Sequence, residues 1–210
     1  MPIYKVPGYS VVSEPLDGTT EWARQAGITS GGALWNNGTF QFRNIRGSDA
    51  DGKRGIISNH ARGVAMDLSW RRIEPRRLGV SDGRMKALTW LNTVLDNWEL
   101  LGVQCVLDYF PPDYGRGWRV DRVDAMPPKA HNHQAWVKYI RPTITGAPAG
   151  DWFHIEITLG MANNADRVKT AFNQVFAKST TTEQPVAIVT PTKKKAGPRR
   201  AQPRGKQPTA

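Results

Sequence analysis

The sequence predicts an α+β domain in which a small antiparallel sheet packs with helices. Apolar and polar residues alternate over 64–69 and again over 154–159, which is the pattern of a strand with one buried face. Between these segments, apolar residues recur at steps of three and four over 83–101, which is the pattern of an amphipathic helix. We expect the two strands to lie side by side in one sheet and the helix to form part of the core.

The first fifty residues and the helix have contrasting patterns. Residues 1–50 are rich in Gly, Asn, Ser and Thr around isolated aromatic residues, which predicts loops and short strands rather than long helices. Ser81 or Asp82 can cap the start of the helix, and Gly102 follows its end. The expected core-facing residues of the helix are Met85, Leu88, Leu91, Leu95 and Trp98.

The first strand brings a histidine and a carboxylate together. Its apolar residues share one face, so Asp67 emerges on the opposite face. His60 lies just before the strand, and Gly63 separates the two. A turn at this glycine can fold the imidazole over the face that carries Asp67.

The second half of the chain supplies another strand with a polar face. A strand-like run covers 103–110, and 111–150 is expected to be a long irregular insertion or a substrate-facing loop. The alternation that follows places His154 and Glu156 on one face of the second strand. A short helix from about 162 to 176 is expected to close the domain.

The positive charge is concentrated at the end of the chain. The protein has a net charge of +11, and residues 179–210 carry +6 of it together with five of the fifteen prolines. Such a segment cannot bury enough apolar surface to fold. The sequence therefore predicts a folded domain over 1–178 and a disordered, basic, Pro-rich tail over 179–210, whose partner would be a polyanion.

The composition excludes several classes of protein. The single cysteine, Cys105, rules out a disulfide within the chain and a thiolate metal site. No window approaches the roughly 18 apolar residues of a membrane span, and the N-terminus lacks the apolar core of a signal peptide. We expect a product without a membrane span that is synthesised in the cytoplasm without a signal peptide.

The polar faces of the two strands form a candidate zinc site. His60, Asp67 and His154 make a three-ligand set that leaves the fourth tetrahedral position open, and imidazole and carboxylate ligands suit zinc. Zinc polarises a scissile carbonyl and lowers the pKa of water toward about 7. Asp151, three residues before His154, is the expected general base. Glu156 is the next candidate for the base; it can also orient a ligand, bind a substrate cation or be an ordinary solvated carboxylate.

Three sequence elements resemble those of a peptidase family. They are F-R-N-I-R-G-S at 42–48, S-N-H-A-R-G-V-A-M-D at 58–67 and D-W-F-H-I-E at 151–156. Over residues 40–158 the chain resembles the VanY-type zinc D-Ala-D-Ala carboxypeptidases and the related L-Ala-D-Glu endopeptidases of bacteriophage endolysins. The second element is fairly specific, and the third is informative as its partner.

The resemblance implies a D-Ala-D-Ala metallopeptidase or hedgehog-like fold with one zinc ion. The implied ligands are His60, Asp67 and His154, and Asp151 is the implied base. An upstream arginine is implied to stabilise the oxyanion: Arg46 matches best, and Arg43 and Arg54 stay open as alternatives. The chain departs from the usual pattern in the long segment 111–150 and in the W-F pair of the last element, where many relatives have Pro-Met, so substrate preference is not implied.

The implied activity is that of a hydrolase of the bacterial cell wall. A zinc metallopeptidase of the D,D-carboxypeptidase or L-Ala-D-Glu endopeptidase type would cut an amide in the stem peptide of peptidoglycan. A bacteriophage endolysin of this kind acts on the wall after release or as part of a phage particle. The basic tail would then bind anionic wall polymers.

Two other functions compete with this hypothesis. The first is a catalytically silent virion or wall-binding domain of the same fold, against which the intact ligand set argues. The second is a basic nucleic-acid-binding protein that acts through the tail. The folded part has no recognisable groove-reading motif, so we do not expect nucleic acid as a partner.

Four further residues have open roles. His131 and His133 could form a second metal site, but they lie in a Pro-rich segment without nearby carboxylates, which favours ordinary surface or cleft residues. Trp118 and Trp136 can line a cleft or belong to the core.

Overall fold

The computed structural model describes residues 10–45, 55–123, 135–140 and 149–177. The helices in these segments are α1 (Asp17–Thr29), α2 (Gly83–Asp96), α3 (Trp98–Leu101), α4 (Val120–Val123), α5 (Leu159–Ala162) and α6 (Ala165–Phe176). The strands are β1 (Trp35–Gly38), β2 (Ala65–Ser69), β3 (Val103–Asp108), β4 (Arg116–Arg119), β5 (Val137–Lys138) and β6 (Trp152–Ile157). Within the described segments, no helix is long and apolar enough to cross a membrane.

The strands form one sheet in the order β1-β2-β6-β3-β4-β5, and each neighbouring pair is antiparallel. The last strand in the chain, β6, therefore lies between β2 and β3. The predicted α+β class is confirmed, and so is the predicted pairing of the two alternating segments, which became β2 and β6.

The helices cover one face of the sheet and enclose the main core. Trp22 of α1 lies at its centre, with its ring 5.9 Å from that of Trp90 and 5.0 Å from that of Phe172, both edge-on. Its indole N–H donates a hydrogen bond of 3.1 Å to the carbonyl of Leu101, so this large side chain is buried without an unpaired donor. The alternate side chains of the central strands project from the opposite face.

The expectation of loops and short strands in the first fifty residues is wrong for α1, which has 13 residues. Its sequence is polar and glycine-rich, and tertiary packing decides its structure. A Cβ atom at Gly18 would lie 1.9 Å from the carbonyl oxygen of Met161, so the backbone of α1 meets that of α5 with no room for a side chain. The helical period is too weak here to be recognised in the sequence alone.

The predicted helix over 83–101 is confirmed with two corrections. It is divided at Asn97 into α2 and α3, and it ends as predicted at Gly102, which has a φ of +65°. Met85 was expected in the core but is 65% exposed, because it lies in the first turn of α2 at the edge of the packed region. The buried residues of α2 are Gly83, Ala87, Trp90, Leu91, Val94 and Leu95.

The segment 111–150 is more regular than expected. Its described parts form β4, α4 and β5, which extend the sheet beyond β3. The last strand ends at Ile157, and the closing helix begins at Ala165, after the short α5. The predicted tail over 179–210 lies outside the described residues.

A buried carboxylate connects the start of α2 to the neighbouring ends of β3 and β4. Asp108, at the end of β3, is fully buried and accepts hydrogen bonds from both terminal nitrogens of Arg84, at 2.8 and 2.7 Å, and from Nε of Arg116 at 3.0 Å. The Arg84 guanidinium also lies 4.5 Å from the ring centre of Trp70. Two arginines thus offset the desolvation of one carboxylate.

We predict that Asp108→Ala lowers the free energy of unfolding by about 3 kcal/mol, because it leaves two partly buried guanidinium groups without their anion. Urea unfolding measures this change. Glu74→Ala is the control, since the exposed Arg72–Glu74 pair should contribute no more than about 0.5 kcal/mol. Equal stability of the two variants would contradict the assigned role of Asp108.

Candidate metal centre

His60 lies on a tight turn directly before β2. The N–H groups of Ala61 and Gly63 donate to the carbonyls of Ser58 and His60, at 3.0 and 3.1 Å. Gly63 has a φ of +72°, and a Cβ atom there would lie 2.7 Å from the side chain of Leu16, so both the backbone conformation and the space require glycine. The turn expected at this glycine is confirmed, and it buries the His60 imidazole beside the sheet.

Asp67 and His154 are direct cross-strand partners in the pairing of β2 with β6, although they are 87 positions apart in the sequence. Their strand neighbours Met66, Leu68 and Ile155 are fully buried in the core. Because side chains alternate along a strand, Asp67 and His154 share the opposite face. The structure thus brings the two predicted residues together where the sequence placed them.

The potential ligand atoms of His60, Asp67 and His154 converge to a small triangle. His154 Nδ1 lies 3.0 Å from Asp67 Oδ1 and 3.2 Å from His60 Nε2, and His60 Nε2 lies 3.4 Å from Asp67 Oδ1. Ligands at about 2.0–2.2 Å from one tetrahedral zinc ion are separated by about 3.3–3.6 Å. The observed separations are close to those values, so this buried group could hold a metal ion.

The chemistry of the three groups also fits a cation. His154 Nδ1 carries at most one proton, yet it faces both a carboxylate oxygen and the ring nitrogen of His60. One proton cannot satisfy both contacts with good geometry, whereas one cation accepts lone pairs from all three atoms. Two imidazoles and a carboxylate are a typical donor set for a divalent transition metal.

Mutual hydrogen bonding sets the protonation of the metal-free group. Burial by itself raises the pKa of Asp67, but hydrogen bonds from His154 and His60 outweigh it and hold this pKa well below its usual value. Burial by itself lowers the pKa of His154, but hydrogen bonds to Asp67 and Glu156 raise it to about 9. A metal ion must therefore displace a proton from His154 when it binds.

Glu156 is the outer partner of His154. Its Oε1 lies 3.1 Å from Nε2 of His154, on the side of the ring away from the triangle. It is only 8% exposed, so a solvated strand carboxylate is the wrong interpretation. A carboxylate that accepts the Nε2 proton leaves the lone pair on Nδ1, which is the atom that faces Asp67 and His60. Of the roles expected for Glu156, the geometry therefore supports the orientation of the candidate ligand His154.

Asp151 lies directly before β6 and is not part of the triangle. Its carbonyl accepts hydrogen bonds from the Ser69 hydroxyl at 2.9 Å and the Trp70 N–H at 3.2 Å, which fixes its backbone. Its carboxylate Oδ2 lies 3.3 Å from Nε of Arg71. Arg71 was not among the residues predicted for the site, although Asp67, Ser69 and Arg71 continue one alternation, which predicts a common face.

Of the three arginines that are candidates to stabilise the oxyanion, the structure describes one. Arg46, the best match, and Arg54 lie outside the described residues. Arg43 lies beside the turn that carries His60, because its carbonyl accepts a hydrogen bond of 3.0 Å from the Ser58 N–H. The choice among the three arginines stays a prediction.

Of the two histidines and two tryptophans whose roles were left open, the structure describes the tryptophans. His131 and His133 lie outside the described residues. Trp118 is fully buried in the main core, and Trp136 packs against that core with Arg116 4.3 Å from its ring centre. Neither tryptophan belongs to the triangle.

Comparisons of the chain with models of protein families, with functionally characterised proteins and with solved structures give no match. The resemblance to zinc peptidases therefore depends on the motif residues, and the geometry of the triangle is a separate observation.

We predict that the protein binds about one equivalent of zinc and that His154→Ala abolishes this binding at micromolar metal, because two ligands hold zinc far less tightly than three. Elemental analysis of dialysed protein measures the metal content. His131→Ala, which removes a histidine from outside the triangle, is the matched control. Full zinc content in His154→Ala would refute the ligand assignment.

We predict that the metal-free protein loses stability as the pH rises from about 6.5 to 9. The pKa of His154 is raised from 6.5 to about 9 in the folded state, so its protonation stabilises the fold fully below pH 6.5, and this contribution is lost as the pH passes 9. Asp67 and Glu156 add nothing in this window, because both are ionised in the folded and unfolded states.

Urea unfolding in the presence of a chelator, at pH 6.5, 8 and 9.5, tests this pH dependence. His154→Gln should be flat over the same range because it has no titrating imidazole at this position. A flat profile in the wild type would contradict the prediction.

Proposed function

We propose that this protein is a zinc-dependent peptidoglycan peptidase that hydrolyses an amide bond in the stem peptide of the bacterial cell wall and acts as a bacteriophage lysin. The observation that carries the proposal is the convergence of His60, Asp67 and His154 within 3.4 Å of one another. A centre with three protein ligands keeps one position for water or substrate, as hydrolytic zinc sites do, whereas structural sites are closed by four.

Each residue of the centre has a distinct task in this proposal. His60, Asp67 and His154 would hold the zinc, which supplies a Lewis acid for the scissile carbonyl and lowers the pKa of water. Asp151 would take a proton from the attacking water and transfer it to the nitrogen of the leaving amine. Arg71 would hold the Asp151 carboxylate in place, and Glu156 would hold the His154 ring.

The choice of a cell-wall amide is supported by the order and spacing of the motifs. The histidine–aspartate element and the D-x-x-H-x-E element resemble those of wall peptidases, and they lie on adjacent strands with their polar residues on one face. The basic residues of 179–210 would add electrostatic attachment to anionic wall polymers, which salt weakens.

Mass analysis of digested peptidoglycan tests the proposal directly. We expect new amine and carboxyl ends in the stem peptide, loss of these products with a chelator and their return with added zinc. The identity of the ends names the bond that is cut. Binding to walls without any cleavage by the zinc-loaded protein would instead favour a catalytically silent wall-binding domain.

We predict that Asp151→Asn retains zinc and fold but lowers the turnover of wall peptide by about 10²–10⁴-fold, the usual contribution of a general base. Zinc content and turnover are measured on the same sample. Asp166→Asn is the matched control, since its carboxylate is exposed at the start of α6, in the helical layer on the other face of the sheet. Wild-type turnover in Asp151→Asn would transfer the role of base to another residue.

A further inference from the structure

Tyr109 lies on the same face of the sheet as the metal-binding triangle. In the pairing of β3 with β6, Leu107 is opposite His154 and Asp108 is opposite Phe153. Asp108 points to the core side, so the next residue, Tyr109, falls on the side of Leu107 and His154. It packs with Leu107 and Cys105 in a small cluster separate from the main core.

The ring of Tyr109 is held in a fixed position. Its centre lies 5.3 Å from that of Trp152, at an interplanar angle of 51°, and Trp152 directly follows the proposed base Asp151. Tyr109 is 8% exposed, so more than nine-tenths of the residue is buried. A ring that is buried to this extent and packed against Trp152 cannot turn away into solvent.

The phenol of Tyr109 keeps its proton in this environment. Burial, and then the negative charge of Asp67, raise the pKa of Tyr109 well above its usual value. The phenol is therefore neutral near pH 7 and keeps a proton to donate.

We propose that Tyr109 donates a hydrogen bond to the carbonyl oxygen of the peptide amide that is cut, and is thus a catalytic residue of the metal centre. This inference extends the proposed hydrolysis. Negative charge grows on that oxygen during attack, and a fixed neutral donor stabilises it without any transfer of the phenolic proton.

Tyr109→Phe tests the proposal, because it removes the hydroxyl and keeps the ring against Trp152. We expect kcat on a soluble stem-peptide fragment to fall by about 10²-fold, as for removal of one oxyanion donor, with KM changed less than about threefold. Zinc content and the thermal midpoint should equal those of the wild type. Tyr139→Phe is the matched control: it removes a second phenol of the same cluster, next to Gly117, and should leave kcat unchanged.

A second measurement separates this inference from the proposed function. Acetohydroxamate binds zinc and presents a carbonyl oxygen, and calorimetry on the zinc-loaded proteins should show about tenfold weaker binding to Tyr109→Phe, the loss expected for one hydrogen bond. Such a loss would support the donor even if the wild type cut no wall peptide, in which case the proposed function alone would fail. Unchanged kcat and unchanged hydroxamate affinity, or a loss of zinc from Tyr109→Phe, would overturn the inference.

Discussion

The antiparallel pairing of β2 with β6 is the constraint on which the rest of the structure depends. Met66, Leu68, Phe153 and Ile155 are fully buried on one face of these strands. A slip of one residue in either strand would turn its two side chains in this group to the other face, and at about 1.5–3 kcal/mol for each it would remove a large part of the stability of a typical domain. The hydrophobic effect therefore fixes the register, and the register places Asp67 opposite His154.

The polar cluster of His60, Asp67, His154 and Glu156 lies on the other face and would be unfavourable without the stability that the apolar face provides. Two imidazoles and two carboxylates are largely withdrawn from water there, and burial of charged groups is costly unless they are paired. In the metal-free protein the groups are paired by hydrogen bonds only in part, because Glu156 Oε2 is buried without a partner among the described residues, and a bound cation would replace the proton on His154. The main core includes the apolar faces of the helices and of the central strands, so the polar cluster on the other face does not interrupt it.

The sequence by itself determined the features that depend on local periodicity or on backbone conformation. Alternation over 64–69 and 154–157 is a property of neighbouring residues, so it revealed both strands and the common face of Asp67 and His154. Gly63 and Gly102 have positive φ values that other residues rarely adopt, so they marked the turn and the helix end correctly. The ligand set of the candidate site could be predicted for the same reason, since each half of its motif is a short continuous segment.

The tertiary structure alone decided the features that depend on contacts between distant parts of the chain. Helix α1 forms where Gly18 meets the backbone of Met161, and no periodic pattern in the sequence predicts that contact. Arg71 meets Asp151, and Tyr109 shares a face of the sheet with Asp67, only because the sheet has the order β2-β6-β3. Strand order is not encoded in any single segment: it follows from the combined burial of all the apolar faces, and so a pattern within one strand cannot reveal which side chains face one another across the site.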